Sequence, residues 1–106
     1  MNQADIFWRG ESGREYGYWI HPIGVRFRKI AGNSIFAKQT ETGEWVPLYI
    51  GQTRDFDEGF GDPEKEDFAR ENGATHIHTH FSSPDENRRK AEKEDLVARW
   101  EPVCNG

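Results

Sequence analysis

A single cysteine, Cys104, rules out an internal disulfide. A reducing compartment, the cytoplasm, is therefore the expected home, and a lone thiol this close to the end of the chain reads as packed and inert. Long hydrophobic runs are also missing. The longest, Trp45 to Ile50, falls far short of a membrane span, so no membrane partner is expected. Residues Met1 to Ser12 lack the basic-then-apolar pattern of a secretory leader. No repeat, low-complexity tract or linker divides the chain. Positive charge is in deficit: the formal net charge is −5, which argues against broad electrostatic attraction to nucleic acid.

What remains is polar but not featureless. The 106 residues suit one domain, hydrophobic residues make up 34% and charged residues 31%, and four Trp with seven Phe can supply a core of large rings. The charge is uneven. Residues 1 to 53 carry six Lys/Arg against five Asp/Glu; residues 54 to 106 carry eight against fourteen. Most of that imbalance lies between Arg54 and Glu71, with three basic and eight acidic residues. Such a block is ordinarily a solvated face.

The patterning predicts an α/β (α+β) domain: a small, mainly antiparallel sheet with a hairpin, a third strand and flanking helices. Residues 1 to 31 read as an N-terminal extension with an extra strand or hairpin. Its strand is expected at Glu15 to His21, and a short period-two stretch follows at Val25 to Arg28. Gly32 and Asn33 are expected to turn into a strand over Ser34 to Lys38. A loop at Thr40 to Glu44 then leads to a returning strand over Leu48 to Gln52, with Pro47 at its start. Asp62-Pro63 predicts a helix start and Gly73 its end. Ala74 to Phe81 reads as a strand. Ser83-Pro84-Asp85-Glu86 predicts a helix from Pro84 to Trp100, with Ser83 as cap. Leu96, Val97 and Trp100 form its apolar side, and Arg89 and Lys93 continue that stripe at helical spacing.

Gly32-Asn33-Ser34-Ile35-Phe36-Ala37-Lys38, followed by Trp45-Val46-Pro47-Leu48-Tyr49-Ile50-Gly51-Gln52-Thr53, resembles the two-strand signature of the GIY-YIG nuclease superfamily. The order that follows also resembles it: helix, third strand, charged helix and a closing Pro102-Val103-Cys104-Asn105. The resemblance covers residues 32 to 105. It implies two tyrosines on the hairpin, an arginine on a helix, and a glutamate on a later helix that holds Mg2+ or Mn2+. Together these would deprotonate a water and stabilise the phosphoryl charge and the leaving oxygen. Gly32, Tyr49, Ile50, Gly51 and Asn105 match that pattern, and Tyr49 is the one catalytic candidate among them.

Three positions depart from it. Ser34 stands where the first tyrosine is expected, and a serine hydroxyl is too short and too weakly acidic to replace a phenol. Asp55-Phe56-Asp57-Glu58 occupies the arginine region. Lys93 falls on the glutamate position, where a cation cannot ligate Mg2+. Glu92 and Glu94 are adjacent, but one residue on a helix turns a side chain by about 100°.

His76, His78 and His80 alternate along the third strand and share one face. Two neighbouring imidazoles can bind Zn2+ with a third ligand from elsewhere, whereas His76 and His80 stand about 13 Å apart by strand rise. The same pattern also suits a polar strand face packed under the last helix. Arg26, Arg28, Lys29 and Lys38, interleaved with Phe27 and Trp45, suit single-strand nucleic acid. Three functions stay open at this point. They are a catalytically impaired GIY-YIG-like binding or accessory module, an active divalent-metal-dependent DNA endonuclease with a rearranged site, and a metal-binding regulatory protein using the histidine strand.

Overall fold

The computed structural model describes residues 3–106. Met1 and Asn2, at the front of the stretch read for a leader pattern, lie outside the described residues. The chain forms strands β1 (Ile6–Arg9), β2 (Glu15–Pro22), β3 (Gly32–Gln39) and β4 (Trp45–Thr53), helix α1 (Pro63–Glu71), strand β5 (His76–His80), helix α2 (Glu86–Trp100) and a short 3-10 turn (Val103–Asn105). The five strands make one antiparallel sheet in the order β1-β2-β5-β3-β4. This is the expected α+β architecture, and both helices pack on the sheet.

Alternation sorts the strand residues onto two faces. Trp8, Tyr18, Ile35, Ala37 and Ile50 point toward α2 and pack with Leu96; Val97 and Trp100 lie against them. Phe36, Leu48, Tyr49 and Ile77 point the other way and pack with Ala69 of α1 and Cys104. Cys104 is buried there, and burial pushes its thiol pKa up, as suits a packed thiol. Trp45 belongs to the α2 face, so Tyr49 does not pack beside it as a plain alternation suggests; Tyr49 keeps Phe36, at 6.3 Å between ring centres.

The reason is a bulge. Phe36 pairs with Tyr49 but Ala37 pairs with Pro47, leaving Leu48 as the extra residue. Strand β4 therefore begins at Trp45, with Pro47 inside it, and Pro is tolerated because β4 is an edge strand. Asn105 closes part of that edge. Its Oδ1 accepts from the Ile50 N–H at 2.7 Å, and its Nδ2 donates to the Ile50 carbonyl at 2.8 Å, imitating a neighbouring strand.

Several local expectations need correction. Gly32 and Asn33 lie within β3 instead of in a turn. A Cβ on Gly32 would collide with the His80 carbonyl oxygen and stand 2.6 Å from the Phe56 ring. Gly51 also lies within a strand, where a Cβ would meet the Phe60 carbonyl oxygen at 2.5 Å. Close approach of backbone, not a turn, is what needs both glycines. Residues 25 to 28 form no strand. The sheet order forces this segment to cross β5 on its way from β2 to β3, and Phe27 packs instead on His21, Phe56 and Phe60.

Helix α1 starts as predicted, with the Asp62 side chain accepting from Glu64 N–H and Pro63 following. Helix α2 starts two residues late. Its cap is Asp85, not Ser83, because the Arg89 guanidinium takes the Ser83 and Pro84 carbonyls that a longer helix would use.

Candidate functional site

At the open edge of β4 lies a cleft of about 430 Å3, bordered by Tyr49, Gln52, Arg54, Asp62, Arg89 and Lys93, with Glu86 at its rim. Both faces of the sheet contribute. Tyr49 comes from the α1 face, whereas Gln52, opposite Asn33, points toward α2. The N-terminal half of α2 closes the other wall.

Arg89 is only 3% exposed. Its Nε donates to Gln52 Oε1 at 2.9 Å, and Nη1 donates to the Ser83 and Pro84 carbonyls at 3.0 and 2.8 Å. All three acceptors are neutral, and Nη2 makes no hydrogen bond to the described residues. The backbone at Arg89 is fixed as well: Asn33 Nδ2 donates to its carbonyl at 2.9 Å, while Asn33 Oδ1 accepts from Ser82 Oγ at 2.7 Å. Among the described residues no carboxylate lies within ion-pair distance of this guanidinium. Lys93, one turn along, is half-buried; burial and then the nearby Lys65 ammonium push its pKa down. Arg54, Arg89 and Lys93 thus face one cleft together with the Asp62 and Glu86 carboxylates, a net formal charge of +1 in an acidic protein.

Tyr49 completes the wall. Its hydroxyl oxygen accepts from the Asp62 N–H at 3.0 Å. Burial raises the phenol pKa, the Asp62 N–H opposes this, and the Asp62 and Glu66 carboxylates add to the rise. Tyr49, 2% exposed, therefore keeps its proton at neutral pH. It is not poised to act as a base.

Other sequence candidates fall elsewhere. Ser34 is fully buried beneath the cleft, donating to the Phe60 carbonyl at 3.2 Å, so it does not join Tyr49 and Lys93 on the cleft wall. Ile50 is core, and Gly32, Gly51 and Asn105 shape backbone approach and the β4 edge. Asp57 and Glu58 border a different depression with Arg26 and Phe27, although Glu58 also pairs at 3.6 Å with Arg54, which borders this cleft. Arg26, Arg28 and Lys29 are exposed in the β2–β3 connection, and Lys38 lies beside Asn72 at 3.4 Å; none of the four lines the cleft.

The metal implied by the family resemblance has no fitting donor set. Lys93 takes the ligand position, Asp62 Oδ1 caps α1, and Glu86 lies 3.8 Å from Lys90. Among the described residues no three His, Cys, Asp or Glu side chains converge as a metal site. Glu92 and His80 do meet, at 3.0 Å, but on the α2 face away from Tyr49, and Glu94 is exposed.

The histidine strand is engaged residue by residue. His76 Nδ1 pairs with Thr75 Oγ1 at 2.8 Å, and His78 Nδ1 accepts from Trp8 Nε1 at 3.1 Å. The Trp45 ring packs against both His76 and His78, at 5.1 and 4.7 Å. Burial pulls the His78 pKa down to about 4, with His76 adding to the shift, so the ring is neutral. Its Nε2 is buried without a hydrogen-bond partner among the described residues.

Sequence reading placed Arg89 on the Lys93 stripe but gave it no role. Its four-residue spacing from Lys93 was the available signal. Asn33 and Gln52 carried none, because their partners are far away in sequence.

Fold and cleft together define an α+β domain with a pocket on a sheet edge lined by three cations and two carboxylates. No family model, curated protein or solved structure matches the chain.

Proposed function

We propose that this domain is a GIY-YIG-like scaffold that binds nucleic-acid phosphates without cutting them, as a binding or accessory module. The observation that carries this reading is the pairing of buried, carboxylate-free Arg89 with Lys93 beside Tyr49. A hydrolytic centre of that superfamily needs a metal-holding acid there. Cations can neutralise a phosphodiester but cannot position a metal-bound leaving oxygen. The Tyr49 phenol keeps its proton, so it does not take one from water, which fits binding without cutting.

The reading also rests on the order of elements along the chain, a hairpin, a helix, a third strand and a charged helix, which is the order the resemblance implies. The net charge of −5 limits non-specific attraction, so binding should depend on the local cleft and on salt.

The test pairs two assays on the intact chain. Fluorescence anisotropy with a short single-stranded oligonucleotide should show salt-sensitive binding that weakens in Lys93→Gln. A plasmid incubated with Mg2+ or Mn2+ should stay uncut. Efficient cleavage abolished by Tyr49→Phe would sink the reading, as would oligonucleotide binding indifferent to Lys93→Gln.

A further inference from the structure

On the opposite side of α2, a second cleft of about 820 Å3 lies between the β1–β2 turn, the end of β5 and α2. Its volume falls within the range of roughly 300–1,000 Å3 typical of small-molecule pockets. Arg14, His80, Ser83, Arg88 and Glu92 border it.

One side chain here is held by a relay. Glu92, 7% exposed, accepts from the Tyr18 hydroxyl at 2.6 Å and faces His80 Nδ1 at 3.0 Å. Tyr18 is fully buried, and burial followed by the Glu92 charge pushes its pKa well above that of a free phenol. Tyr18 therefore remains a donor and Glu92 an acceptor. An ionised carboxylate only accepts, so the proton of the His80–Glu92 contact sits on Nδ1. His80 Nε2 is left without a partner among the described residues, on a ring whose orientation is fixed and whose side chain is 27% exposed.

Arg14 and Arg88 are exposed, border the same cleft and form no ion pair with the described residues. Two guanidiniums against one carboxylate leave this lining with a net formal charge of +1 even with His80 neutral, in a chain whose total is −5. The three polar groups come from three elements. Such a set suits a tetrahedral oxyanion better than a flat carboxylate, which offers two oxygens in one plane.

We propose that this second cleft binds the phosphate group of a small molecule, held between Arg14, Arg88 and His80 Nε2. A partly protonated phosphate can donate its hydroxyl to neutral Nε2, while a protonated ring can donate to a phosphate oxygen. Glu92 and Tyr18 act through His80, as positioning residues. The site is independent of the Tyr49 cleft, from which α2 separates it.

Inorganic phosphate titrated into the full chain, with the imidazole signals followed by NMR, tests this directly. The His80 ring signals should shift to saturation. Arg88→Gln should raise the midpoint by about tenfold, the loss expected for one charge-assisted hydrogen bond. Lys90→Gln, an exposed change on the same helix, should leave the midpoint unchanged. A parallel titration with an unphosphorylated oligonucleotide separates small-molecule from backbone phosphate. Movement of His80 by the oligonucleotide alone would overturn the proposal. So would a non-saturating His80 response, or an unchanged midpoint in the Arg14→Gln/Arg88→Gln double variant.

Discussion

Glu92 and Lys93 are neighbours on α2, yet they live in different chemistry. Glu92 is turned toward β2 and β5, where Tyr18 and His80 satisfy its carboxylate. Lys93 is turned toward the β4 edge, where it joins Arg89 and Tyr49. A rotation of about 100° per residue separates an acid held in the core from a cation that borders the β4-edge cleft. One residue of offset keeps the Glu92 carboxylate out of the cleft that Lys93 borders. Glu92 is already committed to the core on the other side.

Breaking the Glu92 side should have the largest effect. Glu92→Ala orphans the Tyr18 hydroxyl and unbalances His80, and should cost about 3–4 kcal/mol in urea unfolding. If Glu92→Ala and Lys93→Gln destabilised the chain equally, the two sides would not differ as described. Lys93→Gln should stay within about 0.5 kcal/mol, because a half-buried ammonium without an ion pair gives up little.

Acid should expose the same asymmetry through His78, which shares the Glu92 face. Its folded pKa, about 4, lies below the ordinary 6.5, so between those values the unfolded chain binds a proton that the native chain does not. The stabilising difference is therefore full above pH 6.5 and declines as pH falls toward 4, by about 3 kcal/mol in all. Urea midpoints across that window should show the decline, with a shallower slope in His78→Gln. An identical slope in the variant would assign the acid sensitivity to another group.

Asn105→Ala removes both bonds to Ile50 and reopens the β4 edge that frames the Lys93 side. A loss of about 2 kcal/mol is expected from two hydrogen bonds, with self-association rising in sedimentation runs. Unchanged stability would show that Asn105 contributes no net edge protection.

The smallest effect sharpens the functional half of the comparison. Lys93→Gln should weaken oligonucleotide binding about fivefold and lower the slope of log affinity against log salt by about 1. An unaltered slope would mean that Lys93 meets no phosphate.

Local signals were readable where the cause was local. Asp62-Pro63 started α1, the aromatic-rich run from Glu15 to His21 appeared as β2, and the residues around Tyr49 formed the returning strand of the hairpin. Where a distant partner decided the outcome, the sequence misled or was silent. Phe7 and Trp8 gave no period, yet Ile6–Arg9 pairs with β2, and Trp8 reaches His78 seventy residues away. The α2 start moved because a side chain four residues inside the helix claimed two carbonyls before it.

Composition and spacing determined an α+β domain with ring-rich cores and placed Tyr49, Lys93 and the histidines on defined elements, since period, capping and turn chemistry act over a few residues. Which of those side chains meet was decided only when the sheet took its order and α2 its rotation. Arg89 became a cleft cation because Asn33, Gln52 and the Ser83–Pro84 carbonyls converge on it from three parts of the chain. Those contacts depend on tertiary packing, which no local pattern encodes.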